Sequence, residues 1–286
     1  MSDVNVYEHE IPNGSKLYFA KSAKLKRKIE QKASEILEDE GFSEIVTPFF
    51  SYHQHLSVDA TNLLRFSDSL NHEISLRADS TVDTVRIVLR RLKANEPKRW
   101  FYIQPVFRYP SQEIYQIGAE LIGENDILNS VNIVAKLFNE LDLSACLQLS
   151  NMQIPRIICE ILNLEIEIFE NSWLEKILAQ NVPWLSKLAL LKDARELDEI
   201  VSLVPDKLKE ALRNLQSVAK SLEYKNLRIV PLYYSKMRYY DSLFFRFLKD
   251  NAILASGGNY EIDGISSSGF AVYTDALIEE KINLRK

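Results

Sequence analysis

Arg108, Gln116 and Glu120 are the residues of this chain whose types and spacing best suit chemistry. They lie in RWFYIQPVFRYPSQEIYQIGAELIG, residues 99–123. One alternating segment ends in Phe107-Arg108, a short polar turn follows, and a second alternating segment runs from Gln116 to Gly123. Side chains two apart in a strand point the same way, so Gln116, Gly118 and Glu120 share a face. The glycine between the two polar residues predicts open space above the sheet. Arginine at the end of the neighbouring strand adds a cation. Together they could floor a pocket for a small zwitterion, with acceptors for an ammonium and a planar fork for a carboxylate. A solvated sheet face carries the same residue types, so the pattern alone leaves both readings open.

The elements that must hold these residues can be read from periodicity. Residues 16–40 predict a helix, with Leu25, Ile29, Ala33, Ile36 and Leu37 on one stripe and Gly41 as its left-handed stop. FSEIVTPFF then reads as a strand interrupted by Pro48, at an edge or interface. Residues 80–93 predict a helix with Val82, Val85, Leu89 and Leu92 inward and Asp79 or Ser80 as cap. Residues 100–107 and 116–122 form the strand pair, and 125–141 a helix with Ile127, Val131, Val134 and Phe138 inward. No glycine falls between 124 and 256, so few positions there demand a positive φ and helices should dominate. LSKLALLKDARELDEIVSLV and DKLKEALRNLQSVAKSLEY both fit a 3.6 period, and residues 150–225 read as a helical insertion subdomain between the two parts, 1–149 and 226–286, of the main domain. Residues 227–249 return to strand character, 252–264 read as a strand plus a glycine turn, and 268–278 end the fold.

Composition excludes some function classes. The 286 residues are 46% hydrophobic and 26% charged, with a formal charge of −5. Such an acidic balance argues against a broad nucleic-acid surface, which needs clustered Lys and Arg. No run of 18 apolar residues occurs and MSDVNVYEHEIPNG lacks a signal pattern, so a cytoplasmic protein without a membrane span is expected. Cys146 and Cys159 read as buried thiols in a reducing compartment. His53-Gln54-His55 has no acid or cysteine cluster nearby and reads as a solvated loop, so no metal and no cofactor are expected.

The 99–123 stretch resembles motif 2 of the class II aminoacyl-tRNA synthetases in its histidyl form, where Phe-Arg opens a loop and Gln-x-Gly-x-Glu lies on the next strand. GFSEIVTPFF at 41–50 resembles motif 1, which implies a homodimer. LRADST at 76–81 resembles the family's Leu-Arg-Pro-acid-x-Thr segment, with Ala78 in place of proline. That resemblance implies that Asp79 and Thr81 hold an amino group. MRYYDSLFFRF at 237–247 resembles the histidyl-specific tyrosine segment and implies Tyr239 and Tyr240 as ligand residues. The arginines that act in activation are replaced: Ser235, Asn259 and Ala276 stand at their positions. Only seven residues separate Arg108 from Gln116, and YPSQEIY has no basic residue. After Leu277 nine residues remain, so no anticodon-binding domain is expected.

This selective loss resembles the synthetase-like regulatory subunits of short-form ATP phosphoribosyltransferase, which serve the first step of histidine biosynthesis. The resemblance implies an α+β, class II synthetase-like fold, mostly antiparallel and flanked by helices. It implies no catalytic residues, the short catalytic phosphoribosyltransferase subunit as partner in a hetero-oligomer, and L-histidine as the mediator of feedback and the ligand of Asp79, Thr81, Arg108, Gln116, Glu120, Tyr239 and Tyr240. The competing reading is a free-standing synthetase-like ligase that activates an amino acid for a non-tRNA acceptor.

Overall fold

The computed structural model describes residues 10–92, 98–191 and 193–283. The chain divides into two units, Met1–Glu120 with Val272–Lys286, and Leu121–Ala271.

In the first unit, helix α1 (Ala20–Asp39) buries the predicted stripe of Leu25, Ile29, Ala33, Ile36 and Leu37. Its end follows from Gly41, whose φ is +81°. That turn lets Phe42 N–H reach Leu37 C=O and Gly41 N–H reach Glu38 C=O, both at 2.9 Å, so the last carbonyls are satisfied. The α1 helix packs on α10 (Thr274–Asn283). Beyond Gly41 the proline-bearing stretch forms two short strands rather than one. β1 (Ser43–Glu44) runs parallel to β5 (Arg99–Arg108), and β2 (Phe50–Ser51) pairs antiparallel with β4 (Glu73–Leu76). Strand β3 (Arg65–Ser67) completes a three-stranded sheet in the order β2-β4-β3. In the larger sheet the order is β1-β5-β6, with β6 spanning Gln112–Leu121.

Helix α2 (Thr81–Ile87) is shorter than its periodicity predicts, because a π turn takes over at Val88–Leu92. The 3.6 stripe therefore stops: Val82, Val85 and Val88 are buried, while Leu92 is exposed. The predicted end of that helix at residue 93 lies outside the described residues.

In the second unit the strand order is β11-β10-β9-β7-β8. These are β7 (Cys146–Asn151), β8 (Leu227–Ile229), β9 (Tyr240–Lys249), β10 (Ala252–Ile262) and β11 (Ile265–Tyr273). The β7–β8 pair is parallel, and β9 is antiparallel to both β7 and β10. Helix α3 (Ile127–Glu140), capped by Asp126, packs on β10 and buries Ile127, Val131, Val134 and Phe138 as expected. Six helices follow β7: α4 (Gln153–Leu162), α5 (Glu167–Glu170), α6 (Leu174–Leu178), α7 (Pro183–Leu190), α8 (Leu197–Leu203) and α9 (Asp206–Ser221). The run LSKLALLKDARELDEIVSLV is broken into α7 and α8. Asp193 caps a 3-10 turn there and Glu196 reaches back to Asp193 N–H at 3.1 Å.

Cys146 and Cys159 are free and half-buried rather than enclosed. Burial raises both thiols, Cys159 to about 11. No described helix is long and apolar enough to cross a membrane.

Candidate functional site

The first unit places five of the predicted site residues on two neighbouring pieces of structure, the β5–β6 hairpin and the start of α2. Thr81 opens α2, and the Asp79 carboxylate caps it, Oδ1 accepting from Thr81 N–H at 3.1 Å and from Val82 N–H at 3.4 Å. Arg108 ends β5 and donates through Nε to Ala78 C=O at 3.2 Å, one residue before Asp79. Gln116 and Glu120 lie on β6, both buried.

The space over Gly118 is occupied, which corrects the expectation of an open floor. A Cβ at 118 would collide with the Tyr102 ring. Tyr102, on β5, is 1% exposed. Its hydroxyl donates to Glu120 Oε1 at 3.0 Å and also hydrogen-bonds Thr81. Burial raises the phenol well above its ordinary value, and the nearby charges of Glu120 and Asp79 push the same way. At neutral pH Tyr102 is therefore a neutral donor among acceptors. Tyr102 is what joins Thr81 and Glu120, with the Asp79 charge nearby. The signal for it was in the sequence: a glycine facing a strand neighbour leaves room for a ring as readily as for a ligand.

Behind this cluster lies a buried polar layer that sequence reasoning missed. The Arg77 guanidinium is fully buried and bonds only neutral oxygens: Pro105 C=O at 2.7 and 3.1 Å, Thr47 C=O at 2.9 Å, Thr47 Oγ1 at 3.1 Å and Pro48 C=O at 3.2 Å. Burial pushes its pKa down to about 10, so it stays charged at neutral pH. Gln104 Nε2 donates to Thr47 Oγ1 and to Ser80 Oγ, both at 3.0 Å. Gln54, the middle residue of the H-x-H, is 1% exposed, whereas His53 and His55 point outward. No group of three or more potential metal ligands occurs among the described residues.

The turn between β5 and β6 is only Tyr109-Pro110-Ser111, because the ladder resumes at Gln112. Most of the expected seven-residue loop is strand. The N-terminal segment lies along it: Glu113 N–H donates to Gly14 C=O at 3.1 Å, and Ser111 Oγ donates to Asn13 C=O. Asp275, at the start of α10, is buried and accepts from Tyr115 N–H at 3.0 Å and from the Tyr18 hydroxyl. Burial raises its carboxyl above the usual range.

Tyr239 and Tyr240 belong to the second unit. Their rings stand 4.6 Å apart, Tyr239 meets Tyr260 edge-on at 5.7 Å, and Tyr240 pairs with Tyr260 across β9 and β10. Ser235 and Asn259 are buried in the same unit; Ser235 N–H contacts Met152 Sδ at 3.2 Å.

The family model described as histidyl-tRNA synthetase matches residues 18–277. The ATP phosphoribosyltransferase regulatory subunit of Wolinella succinogenes is 47% identical over 279 residues, covering 97% of each chain. That of Helicobacter hepaticus is 39% identical over 277 residues, covering 96% of this chain and 98% of its own. Among solved structures, an ATP phosphoribosyltransferase regulatory subunit/histidyl-tRNA synthetase from Bacillus halodurans superimposes with a TM-score of 0.84 at 21% identity, over 95% of this chain and 83% of the other. The fold is thus the class II, histidyl-synthetase-like one. The chain belongs to the histidyl-tRNA synthetase-like family of ATP phosphoribosyltransferase regulatory subunits.

Proposed function

We propose that this chain is a regulatory subunit that performs no catalysis of its own and binds a catalytic ATP phosphoribosyltransferase subunit at the first step of histidine biosynthesis. L-Histidine is its ligand. In this reading Asp79, Thr81 and Glu120 accept from the ammonium and an imidazole N–H, Gln116 accepts or donates, and Arg108 takes the carboxylate. Tyr239 and Tyr240 are the second unit's candidate ligand residues, and the helices within 150–225 form an insertion in the main domain. Motif 1 at Gly41–Phe50 makes a homodimer within the hetero-oligomer.

The observation that carries this reading is the imbalance of the site. A buried cluster suited to an amino acid stands beside a three-residue turn, Tyr109-Pro110-Ser111, with no cation in it. A triphosphate needs cationic or convergent N–H partners. Ser235, Asn259 and Ala276 offer no cation at the positions where the family's arginines stand. Amino-acid-dependent ATP–pyrophosphate exchange is therefore expected to be undetectable, and calorimetry is expected to read histidine binding. Exchange activity with any amino acid would replace this reading with the ligase one.

A further inference from the structure

We propose that Gln54 is the positioning residue that gives this site its selectivity for an α-ammonium group, because it fixes the Asp79 carboxylate from behind. The inference rests on the reading of Asp79 as ammonium acceptor given above.

Gln54 starts a 3-10 turn, Gln54–Leu56, just after β2. A primary amide has two donors and two acceptor sites, and this one uses all four. Its Oε1 accepts from the N–H groups of Ala78 and Asp79, each at 2.7 Å. Its Nε2 donates to Asp79 C=O at 3.0 Å and to Asp83 Oδ2 at 2.7 Å. A buried polar group satisfied this fully rigidifies what it touches. Asp83 is itself held, its Oδ1 accepting from Ser51 Oγ at 2.8 Å.

The contacts fall where they matter for Asp79. In the Ala78–Asp79 peptide, the N–H goes to Gln54 and the C=O goes to Arg108 Nε. In the next peptide, the Asp79 C=O goes to Gln54. The backbone is thus clamped on both sides of one Cα, which sets the direction of its Cβ. The cap bonds from Thr81 and Val82 N–H to Oδ1 then set the plane of the carboxylate. Gln54 controls the first of these two constraints, and helix α2 the second. A carboxylate displaced by ~1 Å loses much of its bond to a ligand ammonium, since hydrogen bonds weaken steeply with poor geometry.

A role limited to stability would weaken every ligand alike. The positioning role weakens only ligands that carry the ammonium. The test is calorimetry on the full chain with L-histidine and with 3-(imidazol-4-yl)propanoate, the same molecule without its amino group. Wild type favours histidine. Gln54→Leu weakens histidine roughly tenfold and leaves the deaminated analogue within about twofold, so the preference collapses. If the leucine variant does not fold, the pair Gln54→Glu with Asp83→Asn carries the test. It keeps both acceptors and reverses the donor across the contact to residue 83, while an acceptor oxygen replaces the donor that faced Asp79 C=O. Its preference for histidine falls between those of wild type and zero. Equal weakening of both ligands, or an unchanged preference, overturns the inference. Wild type that binds no histidine removes the ammonium reading as well, and shows it before any variant is made.

Discussion

At the scale of single residues, Tyr102 decides what the β5–β6 surface is. Its ring fills the gap over Gly118, and its hydroxyl gives buried Glu120 a neutral donor. Hydrogen bonds to charged groups contribute ~1.5–3 kcal/mol, and a carboxylate left short of a donor in a dry site is costly. Tyr102→Phe keeps the ring and removes only the donor. Its free energy of unfolding should fall by ~1.5–3 kcal/mol, read as a lower urea midpoint at unchanged slope. Stability equal to wild type would mean that Glu120 is held by its other contacts. Gly118 was legible as special from its place between Gln116 and Glu120, but not what faced it. Periodicity reports which face a side chain takes, and says nothing of which distant side chain covers it.

At the scale of elements, the informative residue is Arg77. Strand β5 contains Pro105, which has no N–H for a ladder. Strand β1 ends at Glu44, so beyond it β5 would have carbonyls without partners. Arg77 supplies them: its side chain takes Pro105 C=O, and its own C=O accepts from Phe107 N–H at 2.7 Å. The same guanidinium holds Thr47 and Pro48 of the motif 1 segment. Replacing it with methionine strands three buried carbonyls, at ~1–3 kcal/mol each. Replacing it with lysine keeps the charge and loses the planar fork. Urea unfolding should rank wild type above Arg77→Lys and Arg77→Lys above Arg77→Met. A lysine variant as stable as wild type would show that charge alone suffices. Local signals made α1, its Gly41 stop and α3 readable in advance, since a stripe and a positive φ are properties of neighbouring residues. Arg77, Gln104 and Gln54 were not readable, because their partners lie 24 to 57 residues away in sequence. The turn at 109–111 was overestimated for a related reason. QEIY joins the ladder with Gly14 of the N-terminal segment as neighbour, a long-range pairing with no local mark.

At the scale of the whole molecule, what was legible was order. Segments resembling one family's motifs follow one another from Gly41 to Leu277, and the Wolinella and Helicobacter relatives match over a still longer stretch that takes in nearly the whole chain. Assembly is the property that this order leaves to experiment. Phe50 is 56% exposed, and Phe49, Tyr52, Phe66 and Leu70 are exposed on or beside the same three-stranded sheet. Phe50 and Phe66 meet edge-on at 6.1 Å, leaving aromatic surface outward. Single exposed apolar residues are ordinary, but a group of this size on one small sheet is the surface the proposed homodimer would cover. A homodimer using it should bury more than ~1,000 Å² in total. Light scattering on the isolated chain at micromolar concentration should therefore read a dimer. Phe50→Glu puts a charge at the centre of that contact and should give a monomer, with a melting midpoint shifted by no more than a ~0.5 kcal/mol surface change beyond the loss of association. The variant also tests whether assembly reaches the ligand site. Ser51, next to Phe50, donates to Asp83, and Asp83 accepts from Gln54. Two discrete arrangements of that chain would link dimer and ligand by a coupling of ~1–3 kcal/mol, equal in both directions. Histidine affinity in the monomeric variant should then differ from wild type by roughly fivefold or more. A wild-type monomer would remove the interface. A monomeric variant with unaltered histidine affinity would keep the interface and show that the proposed ligand site does not sense it.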